Sequence, residues 1–126
     1  IVTPLSVVVD DAAQGVTEVV RGSDLLDSTP RQVYLQQLLE LPTPTYLHLP
    51  VAINEGGHKL SKQTGAAAVD PTAPLTALVR VLGFLGQKPP RELSQGNLDD
   101  FWRWAVLHWD SEQVPAALRL SAPGDR

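Results

Sequence analysis

The sequence predicts an α/β fold in which a strand-rich half-domain, residues 1–69, is followed by a small helical subdomain, residues 70–126. Three observations carry this. Short β-branched runs, separated by turns marked with glycine and aspartate, fill the first part, and they have the length of strands. Beyond Asp70 the apolar residues recur at three- and four-residue steps, which is the spacing of one helix face. Hydrophobic residues make up 43% and charged residues 19% of the 126, a globular balance with enough apolar surface for a core.

Taken in order, Ser6 to Val9 reads as a buried strand ended by Asp10-Asp11. Gly15 marks a turn, and Val16 to Val20 reads as a second strand closed by Arg21-Gly22. A helix is expected from Thr29. Its hydroxyl can cap, Pro30 falls where a missing N–H costs nothing, and Gln32 completes a capping-box pattern. A start nearer Ser23 is also compatible with the pattern. Val33, Leu35, Leu38 and Leu39 form its apolar stripe, and Pro42 and Pro44 stop it. Tyr46 to Ile53 reads as another strand, Asn54-Glu55-Gly56-Gly57 as a turn, and His58 to Gly65 as a polar, mobile loop. Leu75, Leu78, Val79, Leu82 and Leu85 predict a helix stopped by Gly86, with Lys88-Pro89-Pro90-Arg91 as a linker. Leu98, Phe101, Trp102, Ala105, Val106 and Trp109 predict a second helix, with Asp99 and Asp100 at the positive end of its dipole. The tail from Ser121 is small and polar and is expected to fray.

Composition narrows the function classes. Cysteine is absent, so the stretch holds no disulfide framework and no thiolate zinc site, which fits a cytoplasmic location. No apolar run approaches the roughly 20 residues of a membrane span. The net charge of −4 argues against a free-standing nucleic-acid binder, which needs a basic field. Methionine is missing even at position 1, so a fragment or a processed chain is expected.

Several side chains could carry chemistry. Lys59 and Lys62 lie between Gly56-Gly57 and Gly65, where flexible ammonium groups can reach phosphate oxygens; the plain alternative is a solvated surface loop. Arg21 ends a strand, where open α/β sheets bind ligands, and its planar fork suits a carboxylate; the alternative is a salt bridge with Asp24 or Glu18. Asp10-Asp11 reads better as a strand-end turn than as a catalytic pair, since neighbours on a strand face opposite sides. His48, between leucines, reads as a hydrogen-bonded core histidine, while His58 and His108 read as loop and helix-surface residues. Trp102 and Trp109 fall on the apolar stripe and read as core, with Trp104 off it and ambiguous.

The order of these pieces is distinctive. Val7-Val8-Val9-Asp10-Asp11, Gly15-Val16-Thr17, Arg21-Gly22-Ser23-Asp24, Thr29-Pro30-Arg31-Gln32, His48-Leu49-Pro50 and Lys59-Leu60-Ser61-Lys62 follow one another as in the glutamyl-tRNA synthetase family, which residues 7–65 closely resemble. Gln63 after the second lysine of the KMSKS-type segment, and the short stretch behind it, resemble the glutamyl-queuosine branch of that family.

The resemblance implies the C-terminal half of a class I synthetase Rossmann-like catalytic domain, with residues 1–69 as the second half of the nucleotide-binding domain. It implies ATP-dependent activation of glutamate, with magnesium, and transfer to the queuosine base of tRNA(Asp). Lys62 would stabilise charge on the phosphates and Lys59 would assist or anchor the loop. Arg21 would hold a substrate carboxylate, and the backbone of Val51 and Ala52, with His48, would lie in the ATP site. The family places a glutamate-contacting tyrosine eight positions before the second aspartate, where this chain has Thr3, and Ile1 to Pro4 lacks the family's strand-like lead. The family's first half carries the HIGH-type ATP motif and often a zinc site, so zinc is expected only there and the isolated chain is expected to be inactive. Two alternatives stay open: part of a discriminating glutamyl-tRNA synthetase, or a non-catalytic remnant that binds RNA or protein.

Overall fold

The computed structural model describes residues 2–61, 65 and 68–122. The chain divides into two compact units, Ile1–Leu49 and Pro50–Arg126, and the mixed helix and strand content matches the α/β expectation.

The first unit begins with a helix, α1 (Val2–Ala13), where the sequence suggested a strand over Ser6 to Val9. Three valines in a row favour a strand locally, but Leu5, Val8, Val9 and Ala12 repeat at helical steps, and the packing of α1 on a second helix decides the outcome. Val8 is the side chain this face buries, at 2% exposure. Gly15 ends α1 with φ +69°: its N–H donates to the Ala12 carbonyl and that of Val16 to the Asp11 carbonyl, so two open carbonyls of the last turn are satisfied.

Strand β1 (Glu18–Gly22) follows, then a 3-10 turn (Ser23–Ser28), helix α2 (Thr29–Leu38) and strand β2 (Thr45–Leu49). The strands pair in parallel, Arg21 beside His48 and Val19 beside Tyr46, so β1–α2–β2 is a β–α–β crossover. Pro30 sits in the first turn of α2 as expected, but the Thr29 hydroxyl caps nothing; it is spent elsewhere. Glu40, at φ +54°, closes α2 in the left-handed conformation usually given to glycine, with Leu41 N–H donating to the Gln36 carbonyl. The helix therefore stops ahead of Pro42 and Pro44 rather than because of them. Its buried side chains are polar: Gln32 and Gln36.

Tyr46 to Ile53 is not one strand. Pro50 has no N–H to give a ladder, and beyond it β3 (Val51–Ile53) belongs to a different sheet, paired in parallel with β4 (Arg119–Ser121). The sequence placed a fraying tail where β4 ends. Asn54–Gly57 turns as predicted, with Gly57 at φ +76° and the Asn54 carboxamide accepting the His58 N–H. The chain then returns along β3: Lys59 bridges antiparallel to Ile53, and Leu60 N–H donates to the Ala52 carbonyl. His58 to Leu60 is thus paired backbone, not open loop.

The rest of the second unit is helical. Helices α3 (Pro74–Phe84) and α4 (Leu98–His108) share a core of Leu82, Phe101 and Ala105, against which Leu75, Leu78, Val79, Leu93 and Trp104 pack. Asn97 caps α4, accepting the Asp100 N–H at 2.9 Å while donating to the Asp100 carboxylate at 2.7 Å. The stripe of α4 is only half used. Trp102 and Trp109 are exposed, at 53% and 40%, while Trp104 leans on the core and stacks on His108. The three-residue steps placed the stripe, but the contact with α3 is narrower than the stripe. Buried Gln87 stitches the end of α3 to the chain after α4, donating to the Leu85 and Asp110 carbonyls and accepting the Asp110 N–H, each at 3.0 Å.

Candidate active site

The best-built polar cluster lies at the C-terminal ends of β1 and β2, where a parallel sheet offers its ligand-binding edge. Arg21 and His48 are register partners, so their side chains share one face, and Tyr46, two residues before His48, shares it too. Arg21 donates from Nε to His48 Nε2 at 3.3 Å and from Nη2 to the Thr29 hydroxyl at 2.7 Å. The Thr29 hydroxyl and His48 Nε2 are 2.9 Å apart. A guanidinium only donates, so His48 Nε2 is an acceptor here and the threonine hydroxyl gives its proton to the same nitrogen. Arg21 Cζ stands 5.1 Å from the Tyr46 ring centroid, and the Tyr46 and His48 rings stack 6.2 Å apart at 12°. Buried Gln36 donates to the Tyr46 hydroxyl at 2.9 Å.

The electrostatics agree with this arrangement. Burial of the imidazole, and then the neighbouring Arg21 charge, hold the His48 pKa below its ordinary value. The Arg21 side chain is engaged by the uncharged Thr29 hydroxyl, the imidazole of His48 and the face of the Tyr46 ring. The Asp10-Asp11 pair sits in the last turns of α1, and the turn proposed for it is formed four residues later, at Gly15.

The other candidates lie in the second unit. Val51 and Ala52 are on β3. In a parallel ladder alternate residues face the partner strand, so Val51 and Ile53 face β4, as the Val51 N–H to Leu118 carbonyl bond (3.1 Å) shows. Ala52 faces the other way, and its carbonyl is taken by Leu60 N–H at 2.9 Å. Lys59 is exposed beside Ile53. Lys62 lies outside the described residues, as do Gln63 and Ile1, and the Thr3 position falls in α1. The structure thus joins Arg21 to His48, and joins Val51, Ala52 and Lys59 through one hairpin. Sequence reasoning missed Thr29 and Tyr46 as partners of Arg21, and Gln36 as the partner of Tyr46; the strand register that aligns Arg21 with His48 was the absent information.

A parallel crossover unit with a cationic strand end, followed by a hairpin carrying lysine, defines the class: the fold is that of class I synthetase catalytic domains. It superposes on a glutamate-tRNA synthetase from Elizabethkingia anophelis with a TM-score of 0.60 over 91% of this chain and 27% of that one, at 24% identity. The chain belongs to the family described as tRNA synthetases class I (E and Q), catalytic domain, whose model matches residues 4–92. It is 57% identical over 120 residues to a glutamyl-Q tRNA(Asp) synthetase of Aromatoleum aromaticum, covering 95% of this chain and 38% of that protein. Proteins of the same name from Pseudomonas paraeruginosa (49% identity; 92% of this chain, 40% of theirs) and Ralstonia nicotianae (55%; 90% and 36%) are similar. The chain therefore spans about two fifths of the length of these relatives.

Proposed function

We propose that this chain is part of a cytoplasmic enzyme that activates glutamate with ATP and transfers it to the queuosine base of tRNA(Asp). The observation that carries the reading is 57% identity, over nearly all of this chain, with a protein named for that activity. Residues 1–69 serve the nucleotide-binding catalytic domain and residues 70–126 form the helical subdomain behind it.

The chemistry assigns roles. A glutamate carboxylate oxygen attacks the α-phosphorus of ATP and pyrophosphate leaves. Arg21 holds a carboxylate of the amino acid, and the guanidinium set at the strand end supports this role. Lys62 offsets charge growing on the phosphates, while Lys59, anchored opposite Ile53, positions the segment. Adenine meets the backbone of β3 at Val51 and Ala52. His48 borders the nucleotide through the part of its ring other than Nε2. Thr3, at the family's tyrosine position, contributes at most a hydroxyl to glutamate binding. Magnesium prefers phosphate oxygens and water as ligands, and the described residues bring no three His, Cys, Asp or Glu together that could hold it. No helix among the described residues is long and apolar enough to cross a membrane.

The test is glutamate-dependent ATP–pyrophosphate exchange by the protein at its relatives' full length, followed by transfer of labelled glutamate. Labelling of queuosine-containing tRNA(Asp) but not of tRNA(Glu) is expected. Charging of tRNA(Glu) at its 3′ end would replace this reading with the discriminating synthetase, and absence of exchange would leave only the binding remnant.

A further inference from the structure

We propose that Thr29 and His48 are positioning residues for Arg21: a closed ring of three hydrogen bonds turns the side edge of the guanidinium inward and presents its Nη1 end to a carboxylate. The inference rests on the reading of Arg21 as the glutamate-carboxylate ligand and deepens it.

The bond directions are fixed by chemistry. Arginine has no acceptor, so both of its contacts in the ring are donations: Nε to His48 Nε2 at 3.3 Å and Nη2 to Thr29 Oγ1 at 2.7 Å. The hydroxyl, having accepted from Arg21, donates its own hydrogen to His48 Nε2 across 2.9 Å. The Nε2 lone pair is then shared between two donors, and the ring proton resides on Nδ1. The lowered His48 pKa is in keeping with this, since an added proton on Nε2 would face a guanidinium N–H.

The ring consumes Nε and one hydrogen of Nη2, which together form the side fork that arginine most often offers an anion. Nη1 takes no part in it. A carboxylate is therefore received at the end of the group, by Nη1 and the second Nη2 hydrogen. The plane of that fork is set from below by Tyr46, whose ring lies 5.1 Å from Cζ and whose hydroxyl is held by Gln36, itself 2% exposed. Thr29 contributes more than bulk. Valine has the same shape but neither accepts from Nη2 nor donates to Nε2, whereas serine does both.

Two measurements test this. In the 126-residue chain above pH 7, long-range ¹H–¹⁵N spectra should show His48 with Nδ1 protonated and Nε2 bare. A proton on Nε2 in the unmodified chain overturns the proposal without any variant. In the full-length enzyme, Thr29→Val should raise KM for glutamate by about tenfold, the low end for losing a hydrogen bond to a charged group. The KM for ATP should move much less than that for glutamate, and Thr29→Ser should restore glutamate binding. A purely structural threonine would instead lower all rates together through loss of folded protein. If Arg21→Lys raises the glutamate KM and Thr29→Val does not, the positioning role falls alone. If neither does, the assignment of Arg21 falls first and takes the positioning role with it.

Discussion

Gly86→Ala should destabilise the second unit far more than a positive φ alone explains. Gly86 closes α3 at φ +77°, and a methyl group there would overlap the carbonyl oxygen of Gln113, 2.9 Å from its carbon and 3.3 Å from Pro115 Cδ. The left-handed backbone costs alanine about 1–2 kcal/mol. Relieving the overlap means moving backbone, because no flexible side-chain end is involved. The nearest casualty is the next residue, Gln87, whose amide holds Asp110 by two hydrogen bonds at 3.0 Å. Those bonds contribute about 1–3 kcal/mol together. The sum is about 2–5 kcal/mol. Gly57→Ala is the matched control, with φ +76° and nothing within 4 Å of the added carbon, and should cost only the backbone share, about 1–2 kcal/mol. Urea unfolding followed by tryptophan fluorescence reads the right unit, since Trp102, Trp104 and Trp109 all lie in it. Equal losses in the two variants would refute the steric argument and show that the Gln113 carbonyl yields freely.

Three further outcomes are expected. Glu40→Gly should stabilise the first unit by about 1 kcal/mol, because Glu40 closes α2 at φ +54°; a circular-dichroism melt that moves down instead would show that its side chain contributes more than its backbone costs. The His48 pKa is lowered in the folded chain, so between that value and about 6.5 the unfolded chain binds more protons. The first unit should therefore keep this share of its stability above pH about 6.5 and lose it as pH falls, and His48→Gln should flatten that slope in melts across the same range. In the full-length enzyme, Lys62→Ala should slow adenylate formation by roughly 10²–10³-fold with little change in the glutamate KM. Near-normal single-turnover activation would return Lys62 to the status of a solvated lysine.

Much of this was legible because local signals and tertiary packing agree. The spacing of Leu75 to Leu85 and the stop at Gly86 gave α3 nearly to the residue, and Asn54 to Gly57 gave the turn. Failures came where context outside the segment decides. Val7-Val8-Val9 carries β-branching, but α1 forms because its Val8 face packs on α2. Arg119 to Ser121 has no strand signature alone and is strand only because β3 accepts it. The site behaved likewise: Arg21 and Lys62 could be proposed from motif order, but the link between Arg21 and His48 spans 27 positions and needs the register of β1 on β2. Thr29 was noticed for the right reason, a hydroxyl at a helix start, and given the wrong partner.

Strand β3 is only three residues long, yet it is gripped on both sides: by Arg119–Ser121 on one edge and by the Lys59 segment on the other. It works as a shared rail, so slack on one edge is felt on the other. Removing or unpinning the last strand, half the chain away in sequence, would free the Val51 N–H and the Ile53 carbonyl to wander. The hairpin that carries Lys59 would then lose its fixed reference. Arg119–Ser121 thus help hold the backbone against which Lys59 is set, and a change made there would be felt in the segment proposed above to meet ATP.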